Sequence, residues 1–281
     1  MNPIAFEPNL AYDFLSFLRA RVDSDPGDMN VMGLQGIAPT GQKPFAIALN
    51  PNKPNIYNDT LAVVFKHADG TPAVRTFLGT VDPGDTFKDQ PGGRAHLTFG
   101  QHLYVRGSHM GHPALRALNE TNRIWRDVSE TGVPGPGNTV AIGAFGVNIH
   151  AGGSTPFINN WSAGCLNICG GWDGEPWKSF IALVESHFAR KGSVGVTVWS
   201  AKDLCRFADD GWSMKPTLCF GMFNPWVGEL QNALRAKGYF HGTTDSDWQG
   251  ETDAAVRAFQ GAQNLEVDGR VGRETWLKVL A

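Results

Sequence analysis

A histidine and a cysteine with fourteen residues between them carry the clearest chemical signal in the sequence. His150 ends a short apolar run, and Cys165 follows Ser162, Ala163 and Gly164 in a predicted turn. A thiol with a pKa near ~8.5 is only partly ionised at neutral pH, so it needs a nearby base to take its proton. The pair therefore predicts a cysteine nucleophile activated by a histidine.

The residues around this pair are candidates for supporting roles. The backbone N–H groups of Gly164 and Cys165 could hold the oxyanion of a tetrahedral intermediate, because a glycine turn exposes such groups. Asn148, Ser162 and the residues just after His150 are alternative candidates for orienting the imidazole ring. Asn148 is also a candidate substrate contact.

A second histidine group, His109 and His112, is predicted to lie in a loop after a strand at 102–105. His109 is a candidate substrate contact in the cleft, and a solvated loop histidine is the equal alternative. No further carboxylate or histidine stands at a zinc-ligand spacing from these two residues. The sequence therefore predicts no metal and no cofactor.

Composition excludes two classes of partner. The formal net charge of −3 over 281 residues argues against nucleic acid, because phosphate binding favours a basic surface. No apolar run approaches ~18 residues, so membrane insertion is not expected. The first 20 residues carry Glu7 and Asp13 and no basic leader, which predicts synthesis in the cytoplasm without a signal peptide. A monomer is expected.

The four cysteines suggest at most one disulfide. Cys205 and Cys219 could close a loop if the protein works outside the cytoplasm. Cys169, four residues after Cys165, is interpreted as an ordinary packed thiol.

Short strands between glycine and proline turns predict a mainly β first domain, a sandwich or barrel with few helices. The strands are predicted at 45–49, 61–65, 74–78, 102–105, 140–149 and 194–199. Helices are predicted at 10–22, capped by Asn9, and at 176–190. The segment 200–224 is predicted to be irregular, and the domain boundary is placed near its end.

The last segment, 225–281, predicts a small all-α domain of three helices. Its pattern resembles the peptidoglycan-binding type 1 domain through Leu230-Gln231, Gly238-Tyr239, Phe259-Gln260, Val267-Asp268-Gly269 and Thr275. The resemblance implies a module that binds peptidoglycan and raises the local concentration of an attached enzyme.

The stretch from Ser162 to Asn167 resembles the Ser-His-Gly-Cys-[Ile/Leu]-Arg signature of L,D-transpeptidase (YkuD-type) catalytic domains, and Ile149-His150 resembles their upstream Ile-His-Gly element. The resemblance implies a β-sandwich catalytic domain over about 1–220. Two positions depart from the signature: Ala163 replaces its second histidine and Asn167 its arginine, which puts the usual donor and acceptor specificity in question.

Together these features predict a lytic enzyme that cleaves peptidoglycan stem peptides through an acyl-enzyme, as an L,D-carboxypeptidase or endopeptidase. It would act on the bacterial cell wall after release or export, like a phage endolysin or an exported effector. Candidate substrate contacts are His109, Asn148, Asn167 and Arg126, although a surface ion pair is the other interpretation of Arg126.

Three alternatives stay open. The same chemistry with an amine acceptor would make the protein an L,D-transpeptidase. The altered motif could belong to an inert wall-binding protein. A glycan-strand hydrolase would need two carboxylates in the cleft, and no pattern singles out a pair among acids such as Asp82, Asp127 and Glu130.

Overall fold

A computed structural model describes residues 3–41, 46–87, 89, 92–127, 134–135 and 138–281. The strands, in chain order, are β1 (Ile4–Ala5), β2 (Met29–Gln35), β3 (Ile37–Pro39), β4 (Ala46–Leu49), β5 (Asp59–Lys66), β6 (Pro72–Thr80), β7 (Arg94–Leu97), β8 (Gly100–His109), β9 (His112–Ala117), β10 (Asn122–Asp127), β11 (Thr139–Gly143), β12 (Ile149–Ala151), β13 (Leu166–Ile168) and β14 (Val194–Ser200). The helices are α1 (Pro8–Phe17), α2 (Glu175–Phe188), α3 (Ala201–Asp210), α4 (Pro225–Ala236), α5 (Gly250–Ala262) and α6 (Arg273–Leu280).

Eight strands close into a barrel in the order β12-β13-β6-β5-β2-β14-β8-β9, because β9 also pairs with β12. Closure leaves no free edge along the sheet. Two three-stranded sheets, β1-β4-β3 and β11-β10-β7, are separate from the barrel. The first domain is thus mainly β, as the turn-rich sequence predicts, but its central sheet is a barrel and not clearly the sandwich that the resemblance implies.

The barrel core is built from β-branched and other large apolar side chains. β2 and β14 have six buried residues each, and β5 has six at its start. A strand that is buried on both faces shows a continuous apolar run instead of alternation, and such a run predicts a strand less clearly. Helix α2 covers one side of the barrel through the buried residues Trp177, Phe180 and Val184, with Phe180 against Phe77 of β6.

Helix α1 is shorter than predicted. It begins at Pro8 after the N-cap Glu7, so Asn9 is not the cap, and Arg19 takes a left-handed conformation (φ 58°) soon after the helix ends. Helix α2 is close to the predicted 176–190. The prediction of irregular structure at 200–224 is wrong in part, because α3 forms there and buries Leu204 and Phe207.

The predicted strands are found with shifted bounds, except that 140–149 is two strands, β11 and β12, separated by residues 144–148. Phe45, the first residue of the strand predicted at 45–49, lies outside the described residues. Strands β1, β2, β3, β7, β9 and β13 were not predicted. The segment at 123–127 is β10, which is the central strand of its sheet.

The three C-terminal helices form as predicted. The Asn224 side chain caps α4 by accepting hydrogen bonds from the N–H groups of Trp226 and Val227. Two buried glutamines join the helices to their loops: Gln231 bonds Thr252 of α5 and Asp245, and Gln260 bonds the loop before α6.

The three-helix unit packs on the larger part of the chain through two tryptophans. The Trp226 indole N–H donates to the carbonyl of Phe17, and that of Trp276 donates to the carbonyl of Pro216. The ring of Trp226 also lies against Phe17. No helix within the described ranges has the length and apolar character needed to cross a membrane.

Candidate functional site

Two short parallel strands bring the histidine and the cysteine together. β12 and β13 pair in the register Ile149 with Leu166 and His150 with Asn167. Cys165 immediately precedes β13, two residues before Asn167, and alternate residues of a strand project to the same face. Cys165 therefore projects to the same face as His150, diagonally across the pair of segments.

The thiol of Cys165 is held by backbone groups. The N–H of Asn148 donates to Cys165 Sγ at 3.3 Å, and Sγ donates to the carbonyl of Gly146 at 3.5 Å. Burial raises the pKa of the Cys165 thiol, and the Asn148 N–H opposes that shift. The thiol is therefore protonated at neutral pH in this state, and a base must remove its proton before it can attack.

The tautomer of His150 follows from its neighbours. Its Nδ1 lies 2.8 Å from the carbonyl of Ala151, which can only accept, so the proton lies on Nδ1. Nε2 lies 3.1 Å from the side-chain Nδ2 of Asn167, from which it accepts. Burial is the main cause that lowers the pKa of His150 to about 4; the hydrogen bond to Ala151 opposes this shift and His109 adds to it. His150 is therefore a neutral imidazole with its basic nitrogen on Nε2.

The His150 imidazole is one of four aromatic rings in a stack. His109 lies at 4.2 Å from His150, Trp172 at 5.6 Å from His150, and His112 at 4.3 Å from Trp172, all within 18° of parallel. Trp172 also packs edge-on against Trp177 of α2. The stack fixes the plane of the His150 ring, so that only its nitrogen edge is left to hydrogen-bond.

The turn before the cysteine depends on Ser162 and Gly164. The buried Ser162 hydroxyl accepts from the N–H of Gly164 at 3.1 Å and donates to the carbonyl of Cys165 at 2.7 Å. Gly164 has φ +145°, and a Cβ there would lie 2.8 Å from the carbonyl oxygen of Ala95. The position therefore requires glycine.

This turn changes the expected oxyanion donors. The Gly164 N–H is already bonded to Ser162, so it is not free to bind substrate as predicted. The Cys165 N–H remains, for which the described residues supply no acceptor. Ser162 shapes the turn and does not contact the imidazole, so it is not the residue that orients His150. Ala151 and Asn167 do that.

His109 lies in the site, but not in a loop. It pairs with His112 at the end of the β8–β9 hairpin, whose turn is Met110-Gly111. Its Nδ1 lies 3.1 Å from Asn148 Nδ2, so Nδ1 accepts and the proton lies on Nε2. Burial lowers the pKa of His109, and the charge of Arg116 lowers it further. His109 is half-buried and neutral at pH 7.

Two other residues that were predicted to contact substrate, Asn167 and Arg126, have other contacts. Asn167 is completely buried and holds His150, so it cannot contact substrate directly. Arg126, on β10, donates to the carbonyl of Gly93 and touches neither His150 nor Cys165. Asn148, the remaining one, links Cys165 to His109 and is almost fully buried.

Two of the acids considered for a glycan hydrolase lie on opposite sides of one buried imidazole. His96 Nδ1 is 3.1 Å from Asp82, and its Nε2 is 3.9 Å from Asp127. Both carboxylates are buried, and nearby Asp59 has a pKa raised well above its usual range by burial and by the charge of Asp82. Such enclosed groups do not reach a polysaccharide. Glu130 lies outside the described residues.

Sequence reasoning missed two residues that position the site. Trp172 completes the ring stack. A tryptophan directly after two glycines, Gly170 and Gly171, is a pattern that could have identified this residue. Asn122 holds both backbone groups of Val147, the residue before Asn148, and nothing in its sequence context singles it out.

All four cysteines lie in the described part of the chain, and none of them is in a disulfide. Cys205 and Cys219, predicted as a possible disulfide, are free thiols, as are Cys165 and Cys169. Within the part of the chain that the structure describes, no group of three or more His, Cys, Asp or Glu side chains is arranged to hold a metal ion.

Comparison with known proteins finds a family match for one part of the chain. Residues 224–278 match the model of a family described as a peptidoglycan-binding domain. The crystal structure of the SleB N-terminal domain is similar at 31% identity over 23% of this chain and 88% of that chain, with a TM-score of 0.23. No curated protein matches the sequence.

The buried neutral His150 predicts a loss of stability in acid. Its pKa is about 4 in the folded chain and 6.5 when exposed, so the unfolded chain binds more protons between these values. The free energy of unfolding should therefore fall as the pH drops from about 6.5 to 4, by up to about 3 kcal/mol from this group. Urea unfolding across that range measures it. The His150→Gln variant should show a shallower pH dependence, and the same dependence in both proteins would refute the assignment.

Proposed function

Because residues 224–278 form a peptidoglycan-binding domain, we propose that the larger part of the chain is a cysteine-dependent enzyme that cleaves the peptide stems of peptidoglycan. The observation that carries the proposal is the neutral, tautomer-fixed His150 on the same face as Cys165. A neutral imidazole whose basic nitrogen is Nε2, on the same face as a protonated thiol, can serve nucleophilic cysteine catalysis once Asn167 Nδ2 releases that nitrogen.

The first step is attack of Cys165 Sγ on an amide carbonyl of the stem peptide. Sγ forms a bond to the carbonyl carbon while its proton moves to His150 Nε2, and the oxyanion is bound by the Cys165 N–H. To deliver that proton, the thiol must turn from the carbonyl of Gly146 towards Nε2. Such catalytic hydrogen bonds commonly tighten only when substrate is bound.

Asn167 can stabilise the imidazolium that this step forms. In the resting state its Nδ2 donates to Nε2, while its Oδ1 is buried with no hydrogen-bond partner in the described ranges. Rotation of the amide would place Oδ1 against the protonated Nε2, which is a charge-assisted hydrogen bond. The proton then passes to the leaving amine, the C–N bond breaks, and a thioester remains on Cys165.

Water resolves the thioester in the reaction we propose, which makes the protein lytic. The arginine of the transpeptidase signature is Asn167 here, and Asn167 is buried against His150. That position therefore offers no cation for the carboxylate of an acceptor peptide. Attack by an amine instead of water is the alternative outcome, and the products distinguish the two.

His109 is proposed to supply a hydrogen-bond donor to the substrate. Its ring is half-buried and carries its proton on Nε2, next to the exposed Met110 at the tip of the hairpin. Phe145 is exposed and directly precedes Gly146, whose carbonyl accepts from the thiol. Met110 and Phe145 are thus exposed apolar residues next in the chain to His109 and to Gly146.

Digestion of purified peptidoglycan tests the mechanism. The wild-type protein should release stem-peptide fragments identifiable by mass. Cys165→Ala should lower the rate by at least about a thousandfold and His150→Ala by about 10²–10⁴-fold. Cys169→Ala is the matched control, because it removes another free thiol and should leave the rate unchanged. Full activity in Cys165→Ala, or fragments cleaved in the glycan strand, would refute the proposal.

A pair of His109 variants separates donation from stacking. His109→Phe keeps a ring against His150 but loses the N–H donor, and His109→Ala loses both. If the donor acts on substrate, both variants should lower kcat/KM about tenfold or more, the worth of one hydrogen bond. Wild-type kcat/KM in His109→Phe would show that the ring serves only to pack His150.

A further inference from the structure

A cavity of about 200 Å³ lies between the barrel and the peptidoglycan-binding domain. Ser200 and Lys202 line it from the end of β14 and the start of α3, Asn52 from the segment after β4, and Arg270 from the loop before α6. Two of its lining residues are cations, and none of those described is an aspartate or a glutamate.

The two cations of this cavity lack carboxylate partners within the described ranges. The Arg270 Nη1 is buried with no hydrogen-bond partner, and neither Arg270 nor Lys202 forms an ion pair. Neighbouring cations at the same junction are paired: Arg19 and Lys215 both contact Glu229. A buried guanidinium N–H without an acceptor is uncommon in a folded protein, because it has lost its water without compensation.

The start of α3 adds further donors to the same cavity. Its N-cap residue, Ser200, makes no capping hydrogen bond with its side chain, so the first backbone N–H groups of the helix lack that acceptor. The one acid in the first turn, Asp203, bonds Trp199 and Thr217 and is not among the lining residues. The helix dipole favours negative charge at this end.

The neutral side chain of Gln35 separates the carboxylate of Asp82 from the cavity. Gln35 lines the cavity and donates from Nε2 to Asp82 at 2.8 Å, which places the amide between the Asp82 carboxylate and the cavity. Asn52 Oδ1 is also buried without a partner, and its amide can present either donor or acceptor to a ligand.

We propose that this cavity binds a compact oxyanion, a carboxylate or a phosphate group, between Lys202 and Arg270. Both groups present two or more oxygens to the guanidinium and the ammonium, and both fit a space of this size with room for water. Because Lys202 lies on α3 and Arg270 in the peptidoglycan-binding domain, the bound anion would join the two parts of the chain. The proposal concerns binding alone and does not depend on the thiol chemistry.

Titration calorimetry on full-length protein carrying Cys165→Ala tests the site without turnover. The probes are inorganic phosphate, a stem tetrapeptide with a free terminal carboxylate, and the same peptide as its terminal amide, all at one ionic strength. We expect phosphate or the free-acid peptide to bind, and whichever binds identifies the source of the anion. Lys202→Gln with Arg270→Gln should weaken that binding at least tenfold.

The controls make the result independent of folding and of net charge. Lys237→Gln with Lys278→Gln removes the same charge from exposed sites of the peptidoglycan-binding domain and should bind as the parent does. Lys202→Gln alone changes one exposed side chain and should also weaken binding. Binding unchanged by both Lys202 variants, or no binding of either anionic probe, would overturn the proposal.

Discussion

The parallel pairing of β12 with β13 is the constraint on which the rest of the site depends. A slip of one residue in this register would turn His150 away from the face that carries Cys165, because successive residues of a strand point to opposite sides. The register is held at both ends: Asn148 and Leu166 share a backbone hydrogen bond, and Gly152 bonds the carbonyl of Ile168. Barrel closure through β9 and β6 then fixes both short strands.

Burial gives the site its resting chemistry. Desolvation raises the pKa of the Cys165 thiol and lowers that of His150, so both are neutral, unlike the thiolate–imidazolium pair of more exposed cysteine enzymes. The thiol is thereby protected from ionisation until a substrate brings the reacting carbonyl. The rings of His109 and Trp172 serve the same end, since they pack against the His150 imidazole and keep it buried.

The sequence predicts local elements better than the architecture into which they assemble. His150 and Cys165 are singled out by residue type and spacing, and α2 by its periodicity. The barrel was not resolved from a sandwich, because closure depends on long-range strand pairs such as β9 with β12, which leave no local pattern. Helix α3 was overlooked although its buried Leu204 and Phe207 stand three residues apart, a helical spacing, and Phe207 packs on Phe14 of α1.

The surroundings of His109 and Asn167 were predicted wrongly because both depend on strand pairing. His109 was expected in a loop, but Met110 and Gly111 form a tight turn that returns the chain and places the histidine on a strand. Asn167 was expected to contact substrate because the signature has an arginine there, yet strand pairing turns it towards His150. Local sequence indicates which groups are present, and only the pairing of distant segments decides what each group faces.

Intact-protein mass spectrometry can detect whether Cys165 forms an acyl-enzyme. On mixing with a stem tetrapeptide and quenching in acid, the wild-type protein should gain the mass of one peptidyl fragment, located on Cys165 and released by hydroxylamine. The adduct should persist in Cys169→Ala and vanish in Cys165→Ala. Cleavage of peptidoglycan stems with no adduct on Cys165 under any quench time would contradict the account.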